Sequence, residues 1–161
     1  MKTVRLFLVD DDQDNLEMLR LVLSQRYDVS SYACPLEALA ALEATKPDLV
    51  VLDIGMRPID GLQCLTAIRE RPGCDRIPAI ALTGYARDVD REAFLAAGFQ
   101  AIVTKPILDD EDLFGPITAV LALDAAPSNH LSAGYPRGDE SGPSHRASDG
   151  ARLDSTYRMT A

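Results

Sequence analysis

The stretch Leu49-Val50-Val51-Leu52-Asp53-Ile54-Gly55-Met56-Arg57-Pro58-Ile59-Asp60-Gly61 decides the fold. Four consecutive apolar residues end in an acid, and Gly55 and Pro58 follow closely. An unbroken apolar run of this kind reads as a strand buried on both faces, with Gly and Pro in the loop after it. Ligands of open α/β sheets bind outside the carboxyl ends of the strands, so Asp53 stands where chemistry is expected. Three further runs end in polar groups. Leu6-Phe7-Leu8-Val9 precedes Asp10, Asp11 and Asp12; Ile80-Ala81-Leu82 precedes Thr83 and Gly84; Ala101-Ile102-Val103-Thr104 precedes Lys105 and Pro106. If these strands are neighbours, acids, a hydroxyl and a lysine converge on one pocket.

Working outward, strand-like and helix-like segments alternate five times. Strands are expected at 4–9, 28–32, 48–52, 78–82 and 100–104, and helices at 14–25, 35–45, 61–70, 88–97 and 109–122. Leu16, Leu19, Val22 and Leu23 recur at helical spacing, as do Leu62, Leu65 and Ile68, and Leu113, Ile117, Val120 and Leu121. Pro35 suits a first helical turn and Gly98 a helix end. Ser30 and Ser31 weaken the second strand. Strands alternating with helices of this length imply parallel strands joined by right-handed crossovers.

Composition bounds the function. The chain has 161 residues, 47% hydrophobic, with a net charge of −9. That is enough apolar material for one core, and the acidic balance argues against nonspecific nucleic-acid binding, which needs a basic face. No apolar run is long enough to span a membrane, and no secretory signal is visible. The cysteines Cys34, Cys64 and Cys74 lack framework spacing and read as reduced thiols of a cytoplasmic protein, with Cys64 on an apolar helix face. Residues 125–161 hold four basic and four acidic residues and no Val or Ile, leaving 12 basic and 21 acidic residues before them. Such a segment cannot bury enough apolar surface to offset its ordering, so a disordered Ser/Gly/Pro-rich tail at 125–161 is expected after a domain at 1–124. His130 and His145 fall in that tail without other ligand-type residues nearby.

Carboxylates meeting at adjacent strand ends repel one another unless a cation lies among them. A hard dication such as Mg2+ takes oxygen ligands, including one or two carboxylates, and neutralises charge on a phosphoryl group in transfer. A carboxylate can be the nucleophile and become an aspartyl-phosphate. Thr83 can donate its hydroxyl to a phosphoryl oxygen, and Lys105 can supply a positive charge. Each residue alone also has an ordinary role: Asp12 or Asp14 as a helix N-cap, Asp53 as a capping acid, Thr83 as a strand-end residue, Lys105 as a solvated cation. The combination is more specific than its members. A P-loop nucleotidase would share a strand like 50–53, but the chain has no Gly-x-x-x-x-Gly-Lys-Ser/Thr loop. A phosphatase of small phosphoesters would need a substrate-binding cap insertion, and none is visible.

Over about residues 3–122 the chain resembles the receiver domain of two-component response regulators. The resemblance rests on Leu8-Val9-Asp10-Asp11, Pro47-Asp48-Leu49-Val50-Val51-Leu52-Asp53, Met56 with Asp60-Gly61, Ala81-Leu82-Thr83-Gly84, Ala97-Gly98 and Lys105-Pro106. It implies a flavodoxin-like, doubly wound α/β fold with a five-stranded parallel sheet in the order 2-1-3-4-5. It implies Asp53 as phosphoacceptor, Mg2+ held by Asp11, by Asp53, by the Gly55 carbonyl and, through water, by Asp10, and a phosphoryl group held by Thr83 and Lys105. The Lys105-Pro106 bond is expected to be cis, a form proline tolerates. The implied partners are a sensor histidine kinase or histidine phosphotransfer protein and a further protein target. A homodimer through helix 4, strand 5 and helix 5 is implied by the same resemblance. Ala-Leu-Thr-Gly-Tyr at 81–85 is similar to receivers working with hybrid sensor kinases. The implied activity is a phosphotransfer switch that hydrolyses its own phosphoryl group and does not act on outside substrates.

Two positions depart from the family. Arg57 stands where a proline is usual, with Pro58 after it, and could pair with Asp60, meet the phosphoryl group or face solvent. Ile102 stands where many receivers carry an aromatic ring. The short polar tail has too little material for an output core, so a stand-alone receiver is expected. The alternative is a pseudo-receiver, a binding adaptor independent of phosphorylation, against which the intact acids, threonine and lysine argue.

Overall fold

The computed structural model describes residues 2–84 and 87–125. The expected tail from residue 126 onward, with His130 and His145, and Tyr85 of the 81–85 motif lie outside the described residues. Five strands and five helices alternate: β1 (Arg5–Val9), α1 (Gln13–Leu23), β2 (Asp28–Tyr32), α2 (Pro35–Ala41), β3 (Leu49–Asp53), α3 (Gly61–Arg69), β4 (Ala79–Thr83), α4 (Asp88–Ala97), β5 (Ala101–Thr104) and α5 (Glu111–Asp124). The strands form one parallel sheet in the order β2-β1-β3-β4-β5, as the resemblance implies. No helix among the described residues is long and apolar enough to cross a membrane.

Side chains alternate across a strand, and here both faces are buried. One layer joins Phe7, Val9, Val50, Leu52, Ala79 and Ala81 to Leu39 and Leu42 near α2, Cys64, Leu65 and Ile68 of α3, and Phe94 of α4. The other joins Leu6, Leu8, Leu49, Val51, Ile80, Leu82 and Val103 to Leu16, Leu19 and Leu23 of α1 and Leu113, Phe114, Ile117 and Val120 of α5. Every residue of β3 and β4 is buried. The serines of β2 are accommodated because β2 is an edge strand, where partial exposure is tolerated. Phe94 is the buried side chain of α4 among its described ones, and it meets Phe99 edge-on at 6.5 Å between ring centroids.

Several helix limits differ from expectation, among them the end of α5, which runs on to Asp124, and three of the shifts have local reasons. After Leu23 and after Ala41 the backbone turns through tighter bonds, Gln25 N to Val22 O and Glu43 N to Ala40 O, so α1 and α2 end early. Pro47 also disfavours helix at the residue before it. Helix α5 starts late because the Asp112 carboxylate accepts the Leu108 and Asp109 N–H groups, which caps the turn before it, where helix was expected from residue 109. Pro35 does open α2, and Gly98 ends α4 in the left-handed conformation at φ 109°.

Two tethers set the sheet's ends. At the bottom, Asp48 accepts the Arg5 N–H at 2.9 Å and the Lys2 ammonium at 2.8 Å, tying the entry of β3 to that of β1. Burial, the largest influence, raises the Asp48 pKa, but the Arg5 and Lys2 hydrogen bonds outweigh it and leave the carboxyl below its ordinary value. At the top, the Gly61 N–H bonds the Ile54 carbonyl at 3.1 Å, folding α3 back onto the end of β3. A Cβ at Gly61 would lie 2.6 Å from the Asp53 carbonyl oxygen and 2.9 Å from the Ile54 Cα.

Both tethers make predictions. Gly61→Ala should lower stability by about 1–3 kcal/mol, because backbone must shift to admit a methyl group; urea titration reads this against wild type. For Asp48, a depressed folded-state pKa adds stability above the unfolded value of 3.8, lost as pH falls through the folded pKa. Asp48→Asn should therefore be less stable at neutral pH, and its gap to wild type should close below pH 3.8 in thermal melts.

Candidate functional site

The top of the sheet is built from chain ends that leave buried strands. Asp10 follows β1 and is fully buried. Its Oδ1 accepts the Asp12 N–H at 3.0 Å, and its Oδ2 accepts the Asn15 side-chain amide and the Lys105 ammonium, the latter at 2.8 Å. Asp12 is the N-cap of α1, accepting the Asn15 N–H at 2.9 Å, whereas Asp14 lies inside the helix's first turn and is not the cap. Asp11 is exposed, and its Oδ2 accepts the Arg57 backbone N–H at 3.2 Å.

Asp53 ends β3 only 7% exposed. Its Oδ1 lies 3.0 Å from the Lys105 ammonium, and the Gly55 N–H bonds its carboxylate. Lys105 therefore bridges both buried acids. Carboxylate oxygens of Asp10, Asp11 and Asp53 all lie within 4.8 Å of one another. Three hard oxygen donors at that spacing fit a small dication that keeps part of its water shell.

Thr83 ends β4, is buried, and pairs in register with Thr104. The Lys105 N–H bonds the Thr83 carbonyl at 2.8 Å, which carries the chain from β5 to the acids. The Lys105-Pro106 bond is cis, as expected, and Arg57-Pro58 is cis as well. So Asp10, Asp11, Asp53 and Lys105 meet in one pocket, with the Gly55 N–H on Asp53 and Thr83 tied to Lys105 through the backbone.

Electrostatics follow from this packing. Burial, the largest influence, pushes the Asp53 carboxyl above its ordinary pKa; the Lys105 hydrogen bond pulls it down, the Asp10 charge adds to the rise, and Gly55 opposes it. For Lys105, burial would favour the neutral amine, but hydrogen bonds to Asp10 and Asp53 outweigh it and hold the proton more tightly than usual. Burial also pushes the Cys64 thiol up to about 11, as expected of a core residue.

Asn15 was not singled out in the sequence, although a signal existed. It lies three residues after the N-cap, where helix side chains point back toward the N-terminus and so toward the end of β1. Arg57 does not pair with Asp60, which instead forms a capping box with Gln63 at the start of α3. Ile102 is partly buried and packs against the layer that holds Phe94.

Comparison with known proteins gives the family and the fold. The response regulator receiver domain family matches residues 6–117. The chain is similar to the transcriptional regulatory protein CpxR homolog of Haemophilus influenzae, 35% identical over 129 residues, covering 80% of this chain and 55% of that protein. It thus spans about half the length of that relative. The fold is similar to a CheY-like response regulator receiver domain protein from Methanospirillum hungatei, at 31% identity and TM-score 0.66, covering 76% of this chain and 96% of that one. It is also similar to the receiver domain of sensor histidine kinase PA1611 from Pseudomonas aeruginosa, at 27% identity and TM-score 0.67, covering 75% of this chain and 99% of that one. In that structure a magnesium ion is coordinated in the active-site cleft. With the family matched over most of its length and the five-stranded sheet in the same order, the chain belongs to the response regulator receiver domain family.

Proposed function

We propose that this chain is a phosphoryl-accepting switch of a two-component relay, loaded on Asp53 by a phosphohistidine of a sensor kinase or phosphotransfer protein. The observation that carries this reading is the convergence of Asp10, Asp11 and Asp53, with Lys105 bridging the two buried acids. Receiver domains bind Mg2+ at an acidic pocket of this kind. The residues to hold it are Asp11, Asp53 and the Gly55 carbonyl, with Asp10 acting through water. When bound, the ion offsets charge between the carboxylates and an incoming phosphoryl group.

In the transfer, a bond forms from an Asp53 carboxylate oxygen to phosphorus as the phosphorus–nitrogen bond to the donor imidazole breaks. The electron pair stays on that nitrogen. Lys105 already lies against Asp53 and can move its hydrogen bond to a phosphoryl oxygen without leaving Asp10. Asn15 and the Asp12 N–H keep Asp10 fixed while this happens. Thr83 supplies a hydroxyl at the end of the neighbouring strand. Because Thr83 leads through Gly84 toward α4, occupancy of the site biases the α4–β5–α5 face, which is the surface for a protein target or a second copy. Ile102 gives that response no swinging ring. A receiver of this type is a switch and not an enzyme acting on external substrates.

Intact-mass spectrometry after incubation with acetyl phosphate and Mg2+ tests the reading. Wild type should gain one phosphoryl group, and neither Asp53→Asn nor metal-stripped protein should gain it. Absence of loading from both acetyl phosphate and a phosphohistidine donor, under conditions that load a control receiver, would return the chain to the adaptor role. Lys105→Met should load at least tenfold more slowly, since removal of one positively charged contact to a transferring group costs about that much or more; the time course of the same mass shift reads it.

A further inference from the structure

The pocket has an unbalanced charge. Asp10, Asp11 and Asp53 supply three carboxylates, and Lys105 is committed to two of them. Phosphoryl donors are themselves anions. A bound dication relieves the repulsion within the pocket, but a donor approaching from solvent first meets the pocket's rim. Arg57 stands at that rim. Its backbone N–H is 3.2 Å from the Asp11 carboxylate, and its side chain is exposed. Its guanidinium makes no ion pair with any described residue, whereas Arg87 after β4 is paired with Asp90 at 3.5 Å and Asp60 is occupied as a helix cap. Pro58 restricts the backbone of the residue before it, so the base of the Arg57 side chain is held beside Asp11 at little further cost in entropy.

From this placement we infer that Arg57 is a positioning residue for the phosphoryl donor: its guanidinium captures the anionic donor at the mouth of the pocket before transfer to Asp53. The inference rests on the phosphotransfer reading above. A guanidinium suits the role because its planar fork offers paired N–H donors to phosphoryl oxygens. Arg57 takes no part in the bond changes. With acetyl phosphate, a bond forms from Asp53 to phosphorus, the bond from phosphorus to the acetyl oxygen breaks, and acetate leaves with the electron pair.

The same charge acts oppositely on the two species the pocket must attract. It draws in an anionic donor and disfavours a dication, so its removal should shift the two in opposite directions. The test uses the full chain as wild type, Arg57→Gln and Arg57→Lys. Loading from acetyl phosphate is followed by intact mass at several donor and salt concentrations, and Mg2+ affinity by calorimetry without donor. In Arg57→Gln the second-order loading rate constant should fall about three- to tenfold at low salt, with a weaker salt dependence. Mg2+ should bind that variant about two- to fivefold more tightly. Arg57→Lys keeps the charge but loses the fork, so its loading rate should fall between those of wild type and Arg57→Gln. Equal loading rates in wild type and Arg57→Gln would overturn the inference. Parallel weakening of loading and of Mg2+ binding would also overturn it, because that is the result of a distorted loop. A wild type that never loads would overturn the functional reading itself, and this inference with it.

Discussion

The ammonium of Lys105 lies between two carboxylates that water scarcely reaches, and the ends of β1, β3 and β5 are tied together through it. Neither acid would be tolerable there alone. Removing one member of such a buried group leaves an uncompensated charge and costs about 3 kcal/mol or more. The remaining hydrogen-bonding capacity of Asp10 is taken up by Asn15 and the Asp12 N–H, so the arrangement is satisfied at each oxygen. Lys105 in turn is held by its own backbone N–H on the Thr83 carbonyl. The site is therefore part of the structure that joins the strand ends, and the chemistry proposed for it would use contacts already present.

The two apolar layers explain why this pocket lies where it does. Every position of β3 and β4 is buried, so polar side chains can appear only where the strands stop. Parallel connection places all those stops at one edge. The close approach of Gly61 to the backbone of Asp53 and Ile54 then turns the chain sharply into α3 and keeps the loop at 54–60 beside Asp11.

Much of this was legible in the residues. The run at 49–53 marked a strand buried on both faces, and the acids, Thr83 and Lys105 each marked a strand end. Their convergence was conditional on the strands being neighbours, and the order 2-1-3-4-5 came from the resemblance, not from spacing. What could not be read was which polar groups touch. That Lys105 bridges Asp10 and Asp53, and that Asn15 completes Asp10, depends on how α1 and β5 lie against β1, which no local pattern encodes. Helix limits slipped because tight turns compete with helix at the ends of α1 and α2, and a side-chain cap competes with it at the start of α5. The fate of Arg57 stayed open for a related reason: Asp60 was a plausible partner by sequence, and its engagement with Gln63 is a three-dimensional fact.

The attachment of α4 has a consequence for how such a chain can diversify. Among its described side chains Phe94 alone is buried, while Val89, Arg91, Glu92, Ala93, Leu95 and Ala96 are exposed. Packing therefore places almost no restriction on what most of the helix presents to solvent. Substitutions there can accumulate and change which surface a partner meets without disturbing the core or the acids at the strand ends. A duplicated copy of the chain could acquire a different recognition surface along α4 while inheriting the same strand-end chemistry intact.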